Sequence, residues 1–201
     1  MDFYRPLWTR EIYNPGSGGV LVMTIMKNSG MIFITGGARS GKSFFAEKLA
    51  FKAGADRVYL ATMQALDEEM KERIARHRAV RKEKKWRTVE EPLDLLNVLK
   101  RENKKKRVIL IDCLTLWITN MMLKAYSEKE ILSAAEALAG FAGRAEAQVI
   151  VVSNEVGMGI VPDNVLGRNF RDTQGRVNQI FAAQAKKVYF MVAGLPLKVK
   201  K

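Results

Sequence analysis

The feature that most constrains this chain is an apolar run that leads directly into a glycine-rich turn and then into a helical pattern. The run ends at Thr35, and the turn extends from Gly36 to Ser43. Glycines in such a turn allow backbone angles that side chains disfavour, so that consecutive N–H groups can point at one anion. The helix that follows adds the positive end of its dipole. This order matches the phosphate-loop pattern G-x-x-x-x-G-K-[ST] and predicts that a nucleoside triphosphate contacts Gly36, Gly37, Ala38, Arg39, Ser40, Gly41, Lys42 and Ser43.

Three side chains suggest how the triphosphate and its Mg²⁺ would be held. Lys42 is positioned to reach the β- and γ-phosphates, and the Ser43 hydroxyl is a suitable Mg²⁺ ligand. Asp112 ends the apolar run 108–112, where a carboxylate can hold the metal directly or through water. Asp112 could instead cap the helix that follows, and the two roles are compatible. We therefore predict metal ligands at Ser43 and Asp112.

Apolar runs alternate with amphipathic helices along most of the chain. This alternation predicts an α/β fold of the P-loop NTPase type, with a mostly parallel sheet and helices on both faces. Residues 31–201 are expected to form one catalytic domain, and residues 1–30 an irregular N-terminal extension. Strands are predicted at 58–62, 86–90, 108–112, 149–153 and 188–192, after a first strand that opens at Met31. Helices are predicted at 44–52, 66–81, 116–124, 128–147 and 172–185, with another whose first residue is Pro92.

The composition restricts the classes of partner. The net charge of +13 is concentrated between Lys71 and Arg107 and would suit nucleic acid or a small polyphosphate. The basic runs lack interleaved aromatic residues, which favours the polyphosphate and predicts no nucleic-acid partner. No apolar run approaches the ~20 residues of a membrane span. The single cysteine, Cys113, is interpreted as a structural thiol, and a cytoplasmic location is predicted.

The only histidine, His77, has two interpretations. Helical spacing places it on the same face as Met70 and Ile74, the face expected to contact the body of the protein. A lone helical histidine of this kind is more often structural than catalytic. A neutral imidazole is nevertheless a competent nucleophile at cellular pH, and the neighbouring Arg76 and Arg78 would attract a phosphate. The residues alone leave both interpretations open.

A polar, glycine-containing loop follows the strand at 149–153. Ligands of open α/β sheets bind at the carboxyl ends of the strands, so this loop is a candidate substrate site. Its side chains could equally form caps and ion pairs that fix the loop itself. The residues to which both interpretations apply are Asn154, Glu155, Arg168, Arg171 and Asp172.

Several ordered motifs make the chain resemble a known family. It is similar to the bifunctional adenosylcobinamide kinase / adenosylcobinamide-phosphate guanylyltransferases of cobalamin biosynthesis, from Met31 almost to the C-terminus. The segments that carry the resemblance are ITGGARSGKS (34–43), YLAT (59–62), ERIARHR (72–78), WRTVEEP (86–92), DCLTLWITN (112–120), SNEVGMGIVP (153–162) and FRDTQGRVNQ (170–179). Residues 1–30 and the connector 81–86 depart from the family pattern.

The resemblance implies two reactions and a set of site residues. ATP or GTP would phosphorylate the aminopropanol hydroxyl of adenosylcobinamide, and GMP would then pass from GTP to that phosphate through a guanylylated His77. The resemblance also implies a homotrimer. Besides the phosphate loop, the nucleotide contacts that it implies are Ala61, Thr62, Met63, Arg78, Ala79, Val80, Arg81, Glu90 and Asp112. Two other classes remain as alternatives: a P-loop small-molecule kinase without transferase activity, and a nucleotide-dependent nucleic-acid-binding protein.

Overall fold

The computed structural model describes residues 30–64 and 68–201, without some side chains of the second helix. Those side chains belong to Glu69, Met70, Arg73, Ile74, Arg76, His77 and Val80. The predicted extension at 1–30 therefore lies outside the described residues, apart from Gly30. The elements in chain order are β1 (Ile32–Gly36), α1 (Lys42–Ala53), β2 (Arg57–Ala61), α2 (Glu68–Glu83), β3 (Arg87–Glu90), α3 (Leu95–Glu102), β4 (Val108–Asp112), α4 (Leu114–Leu123), α5 (Glu128–Arg144), β5 (Gln148–Val152), α6 (Val165–Gln184), β6 (Lys187–Val192) and β7 (Leu195–Lys200).

The strands of the described chain form one sheet of seven, in the order β3-β2-β4-β5-β1-β6-β7. Strands β1 to β6 are all parallel, and only β7 pairs antiparallel, with β6. The carboxyl ends of the six parallel strands therefore meet at one edge of the sheet. Because β5 lies between β1 and β4, this edge holds the phosphate loop and Asp112 one strand apart.

Both faces of the sheet are covered, as near-continuous apolar strands require. Phe33 and Ile109 belong to a core that includes buried residues of α3, α4, α5 and α6. The alternate residues Ile34 and Leu110 point to the other face and share a smaller core with Ala46 of α1. The predicted α/β fold with helices on both faces is confirmed.

The predicted start of the last helix at Asp172 is wrong. Helix α6 begins at Val165, because the Asn164 side chain accepts a hydrogen bond of 2.7 Å from the Gly167 N–H and acts as its N-cap. The loop predicted from Asn154 to Gly167 is correspondingly shorter. Gly167 weakens the helical signal of this stretch, which explains why the sequence pattern places the boundary too late.

Pro92 is not the first residue of a helix. Helix α3 begins at Leu95, and Asp94 is its N-cap, accepting a hydrogen bond from the Asn97 N–H. The Glu91 carboxylate accepts a second bond, of 2.9 Å, from the Asp94 N–H. The Asp94 and Glu91 carboxylates thus accept from backbone N–H groups at the start of α3. A helix that begins at a proline would need one such acceptor fewer, because proline has no N–H.

Strand β7 was not predicted from the sequence. It is exposed throughout, lies at the end of the sheet, and contains Pro196, which an edge strand tolerates because its N–H side can face solvent. The other elements begin and end within a few residues of their predicted positions, and the predicted start of α2 at Leu66 lies outside the described residues. Among the described residues, no helix is both long and apolar enough to cross a membrane.

Candidate nucleotide-binding site

A cavity of about 700 Å³ opens at the edge of the sheet where the parallel strands end. Its volume is within the range of sites that hold one small organic ligand. The lining combines the phosphate loop with the ends of β2, β3, β4 and β5. The predicted residues that line it are Ala38, Arg39, Ser40, Gly41, Lys42, Ser43, Ala61, Met63, Arg81, Glu90, Asp112 and Asn154.

The phosphate loop needs glycine at two of its three glycine positions. Gly36 has φ 152°, and a Cβ there would lie 2.5 Å from the Met191 carbonyl oxygen. Gly41 has φ 90° and begins α1 without a side-chain cap. Gly37 adopts no positive φ and a Cβ would meet nothing within 4 Å, so the backbone-angle argument fails at this position.

Several hydrogen-bond donors of the phosphate loop can receive an anion. Within the described part of the chain, the backbone N–H groups of Ala38, Arg39 and Gly41 have no acceptor. Lys42 is buried, and its Nζ donates to the Gly37 carbonyl at 2.6 Å. Burial lowers the pKa of Lys42, while the nearby Cys113 and Asp112 act against that shift. An ammonium group that is packed on its own loop is ready to exchange a carbonyl for a phosphate oxygen.

Asp112 is oriented by a residue that the sequence analysis did not single out. The buried Tyr59 hydroxyl donates to Asp112 Oδ2 at 2.6 Å. Burial and the carboxylate together raise the pKa of Tyr59 well above its usual value, so the phenol stays protonated as the donor. The bond uses one carboxylate oxygen, and the other has no partner among the described residues. Tyrosine is common in buried strands, so its position in the sequence does not indicate this role. The one indication is that a buried tyrosine hydroxyl needs a hydrogen-bond partner.

Arg81 is buried in the cavity wall, where its charge helps to lower the pKa of the nearby Glu90 carboxyl. It is 7% exposed, and its guanidinium makes no ion pair or hydrogen bond within the described residues. The Arg81 guanidinium carbon lies over the Tyr59 ring, 4.4 Å from the ring centre. The Trp86 ring packs edge-on against Tyr59, with the two ring centres 5.5 Å apart. Buried charges are normally paired, so this guanidinium points to an anionic ligand.

The other residues implied by the resemblance divide into two groups. Arg78 pairs with Glu90, and this hydrogen bond lowers the pKa of the Glu90 carboxyl. Glu90 also lines the cavity, whereas Arg78 faces a shallower neighbouring depression. Thr62 is fully buried behind the cavity wall, where its hydroxyl donates to the Cys113 carbonyl at 2.8 Å. Ala79 is exposed on α2, and the side chains of Val80 and His77 are not among those described.

The polar side chains of the loop after β5 were predicted either to bind a substrate or to fix the loop itself, and the structure shows which contacts they make. The Glu155 carboxylate accepts from the Gly157 N–H at 2.6 Å, and Arg171 donates to the Gly157 carbonyl at 2.6 Å. Arg168 donates to the carbonyl of Asp163 at 2.7 Å. These three residues fix the loop, as the structural interpretation expects. Asp172 is exposed and lines no part of the cavity.

Asn154 differs from its neighbours because it faces the cavity. Its backbone N–H donates to Thr115 Oγ1 at 2.9 Å, and its carbonyl accepts from the Asn178 amide at 2.9 Å. Its side-chain amide has no partner within the described residues. Thr115 and Asn178 were missed by sequence reasoning, since each acts through the backbone of another residue. Asn154 is therefore a fixed amide available to a ligand.

Cys113 lines the cavity, but its chemistry is that of a structural thiol. Burial and then the Asp112 charge raise its pKa to about 11. A nucleophilic thiolate needs the opposite shift. The prediction of a structural role for Cys113 is consistent with this environment.

The donor set at the cavity is compatible with Mg²⁺. Ser43 and Asp112 line the same cavity, and each supplies an oxygen that has no partner among the described residues, a hydroxyl and a carboxylate oxygen. Mg²⁺ in nucleotide sites typically takes one or two such protein ligands and completes its shell with phosphates and water. No group of three or more His, Cys, Asp or Glu side chains that could hold a metal ion occurs in the described ranges.

Comparison with known proteins identifies the family. The CobU family model, described as cobinamide kinase / cobinamide phosphate guanyltransferase, matches residues 32–199. The chain belongs to this family. It is 46% identical over 167 residues to the bifunctional adenosylcobalamin biosynthesis protein CobP of Pseudomonas aeruginosa, covering 83% of this chain and 95% of that protein. It is 41% identical over 182 residues to the CobU proteins of Escherichia coli and Salmonella typhimurium, covering 85% of this chain and 99% of each.

One solved structure is similar to this chain in fold alone. The Pyrococcus horikoshii OT3 protein PH0250 superimposes with a TM-score of 0.51 at 6% identity, over 86% of this chain and 87% of that one.

Proposed function

We propose that this protein phosphorylates adenosylcobinamide and then transfers GMP from GTP to the resulting phosphate, giving adenosylcobinamide-GDP. The observation that supports this best is one cavity in which a phosphate loop, Asp112 and the buried Arg81 converge. Arg81 lies one helical turn after His77 on α2, so the proposed nucleophile belongs to an element that contributes to the cavity wall. The names of the relatives support the choice of substrates. The phosphate loop and the basic side chains of the cavity support the placement of their phosphates there.

In the kinase step, the phosphate loop and Lys42 hold a triphosphate, ATP or GTP, by its β- and γ-phosphates. The acceptor hydroxyl attacks the γ-phosphorus and a new P–O bond forms. The bond from the γ-phosphorus to the bridging oxygen breaks, the nucleoside diphosphate leaves with that oxygen, and the hydroxyl proton passes to water. Bound Mg²⁺, held through Ser43 and Asp112, would supply positive charge to the phosphate oxygens. The amide of Asn154 is a further donor for the oxygens of the phosphoryl group that moves.

In the transferase step, the leaving group is pyrophosphate. An imidazole nitrogen of His77 attacks the α-phosphorus of GTP, so that a P–N bond forms while the bond to the β-phosphate oxygen breaks. Lys42 and the loop N–H groups stabilise the charge on the departing pyrophosphate. A phosphate oxygen of adenosylcobinamide phosphate then attacks the same phosphorus and forms a P–O bond. The P–N bond breaks and its electron pair returns to the imidazole, which leaves in its neutral form with the N–H that it kept throughout. One anion site thus serves both reactions.

The histidine step is tested without the corrinoid. The protein is incubated with GTP and Mg²⁺, and its intact mass is measured before and after mild acid. We expect a GMP adduct that is acid-labile, because phosphoramidate bonds hydrolyse in acid. His77→Ala should form no adduct and should still bind a fluorescent GTP analogue and phosphorylate adenosylcobinamide.

Lys42→Ala is the matched control, since it should lose both reactions while His77 remains. If wild-type protein that phosphorylates adenosylcobinamide forms no adduct, the transferase mechanism is refuted and the simple P-loop kinase remains. An adduct that persists in His77→Ala would assign the nucleophile elsewhere.

The nucleic-acid alternative has less support from the surface charge than the sequence suggested. Several basic residues of the segment Lys71 to Arg107 are paired with carboxylates: Lys71, Arg78, Lys84, Arg87, Arg101 and Arg107. Paired charges release fewer counterions on binding a nucleic acid. We also propose a homotrimer acting in the cytoplasm, for which sedimentation equilibrium of the purified protein is the direct measurement of the oligomer.

A further inference from the structure

The loop between β5 and α6 displays an unusual concentration of exposed apolar side chains. We define the apolar rim as Met158, Ile160, Val161, Val165 and Leu166, which are 58–97% exposed. Single exposed apolar residues are common on protein surfaces, but a contiguous group usually marks a binding site. The rim falls within the SNEVGMGIVP motif and the start of α6, whose large apolar side chains the phosphate chemistry does not use.

The backbone that carries the rim is held firmly in place. The Glu155 carboxylate accepts from the N–H groups of Gly157 and Met158, at 2.6 and 3.2 Å. Arg168 donates to the carbonyls of Pro162 and Asp163, at 3.1 and 2.7 Å. These bonds fix the loop on both sides of Ile160, while the apolar side chains of the rim remain exposed. A partner that binds here pays little conformational entropy, because the loop is already ordered.

The loop that carries part of the rim begins at the nucleotide cavity. Asn154 lines the cavity and begins the loop, and the next residue, Glu155, donates its backbone N–H to the Gly36 carbonyl at 2.9 Å. The loop therefore leaves from the side of the phosphate loop itself. Whatever rests on the rim adjoins the place where a phosphate is transferred.

We propose that the apolar rim binds the corrin ring of the acceptor, an inference that rests on the function proposed above. The acceptor oxygen must approach the reacting phosphorus to about 3–3.5 Å. A cavity of about 700 Å³ has the size of a site for one small organic ligand, so a nucleoside triphosphate and a macrocycle would not share it and the macrocycle has to lie outside. A large ring with a methyl-bearing periphery gains from contact with apolar side chains, and its amide groups find the polar loop backbone alongside.

The test compares serine substitutions within and outside the rim. Ile160→Ser and Leu166→Ser change side chains that are 97% and 69% exposed, so folding should be unaffected. Val199→Ser, at 64% exposure on the far part of β7, is the matched control. Each rim variant should raise the KM for adenosylcobinamide, and its Kd by absorbance titration, about ten-fold, the effect of one large apolar side chain that is buried on binding. The KM for GTP and the GMP adduct should stay as in the wild type.

The outcomes distinguish this inference from the proposed function. If the wild type binds and phosphorylates adenosylcobinamide but the rim variants match Val199→Ser, the rim assignment is overturned and the function stands. Rim variants that sediment as smaller species with an unchanged KM would instead identify the rim as a contact between copies of the chain. A wild type that neither binds nor phosphorylates adenosylcobinamide would refute the proposed function, and the corrin assignment with it.

Discussion

Replacing Tyr59 by phenylalanine removes a single hydrogen bond from the candidate site. The ring keeps its contacts with Trp86 and Arg81, at 5.5 and 4.4 Å, while Asp112 Oδ2 loses the hydroxyl donor at 2.6 Å. A hydrogen bond to a charged group contributes about 1.5–3 kcal/mol. Asp112 is partly exposed on the cavity side, so water can replace part of the bond and the low end of the range applies. We expect Tyr59→Phe to lower the unfolding midpoint by about 3–6 °C, measured by calorimetry.

The same substitution should also affect metal binding. Without the hydroxyl, the Asp112 carboxylate is free to rotate away from the proposed Mg²⁺ position. Removing the partner of a metal ligand typically costs ten-fold or more in metal affinity, so the Mg²⁺ concentration for half-maximal activity should rise about ten-fold. Titration of Mn²⁺ into the GTP-bound protein, followed by electron paramagnetic resonance, should show the same weakening without any turnover.

The matched control is Tyr189→Phe. Tyr189 is partly buried and packs edge-on to Phe45 at 5.1 Å, but its hydroxyl makes no hydrogen bond within the described residues. Its loss should leave both the unfolding midpoint and the Mg²⁺ dependence nearly unchanged. If Tyr59→Phe behaves like Tyr189→Phe in both measurements, the proposed orientation of Asp112 by Tyr59 is refuted.

Three further predictions concern groups with shifted pKa values. Because burial lowers the pKa of Lys42, kcat/KM for GTP should fall on the alkaline side at a pH below the ordinary lysine value of 10.5, and a fall only above that value would contradict the described environment. Burial alone would raise the pKa of Glu102, but hydrogen bonding from Arg87 and the charges of Arg87, Arg107 and Arg101 outweigh burial and lower it. Glu102→Gln should therefore cost about 3 kcal/mol in urea unfolding above about pH 4.3, and the difference from wild type should vanish as the pH falls through the lowered pKa. Since burial raises the pKa of Cys113 to about 11, iodoacetamide should alkylate the native protein at pH 8 at least about a hundred-fold more slowly than the urea-unfolded chain, and equal rates would show an accessible thiolate.

The sequence predicts those parts of the fold that depend on local pattern. The apolar strands and the phosphate loop are read directly from residue type and spacing, and the strand end at Asp112 places an acid where the cavity forms. Boundaries are missed where a capping side chain overrides composition, as Asn164 does for α6 and Asp94 for α3. Edge strand β7 is missed because it buries no face and its pairing with β6 is a tertiary contact.

The sequence predicts many of the residues that line the cavity, but not the roles that depend on tertiary contacts. The charge pattern alone places Arg81 among the solvated basic residues, and only the resemblance names it as a nucleotide contact. The structure buries it against Tyr59. Thr62 and Asn178 have the residue types of ligand contacts, but their side chains hold the backbone of Cys113 and Asn154. Such roles depend on which strands become neighbours, and periodicity along one chain does not contain that information.

The ion network around Glu102 lies at the edge of the sheet opposite the cavity. It joins Arg87 and Arg107, at the amino ends of β3 and β4, and reaches Asp56 just before β2. Catalytic demands act on the carboxyl ends of the strands, so this opposite edge is free to vary as long as the sheet holds together. Directed evolution for thermal resistance should therefore accumulate its substitutions there, and swaps of the whole network between relatives should transfer heat tolerance without altering the choice of nucleotide.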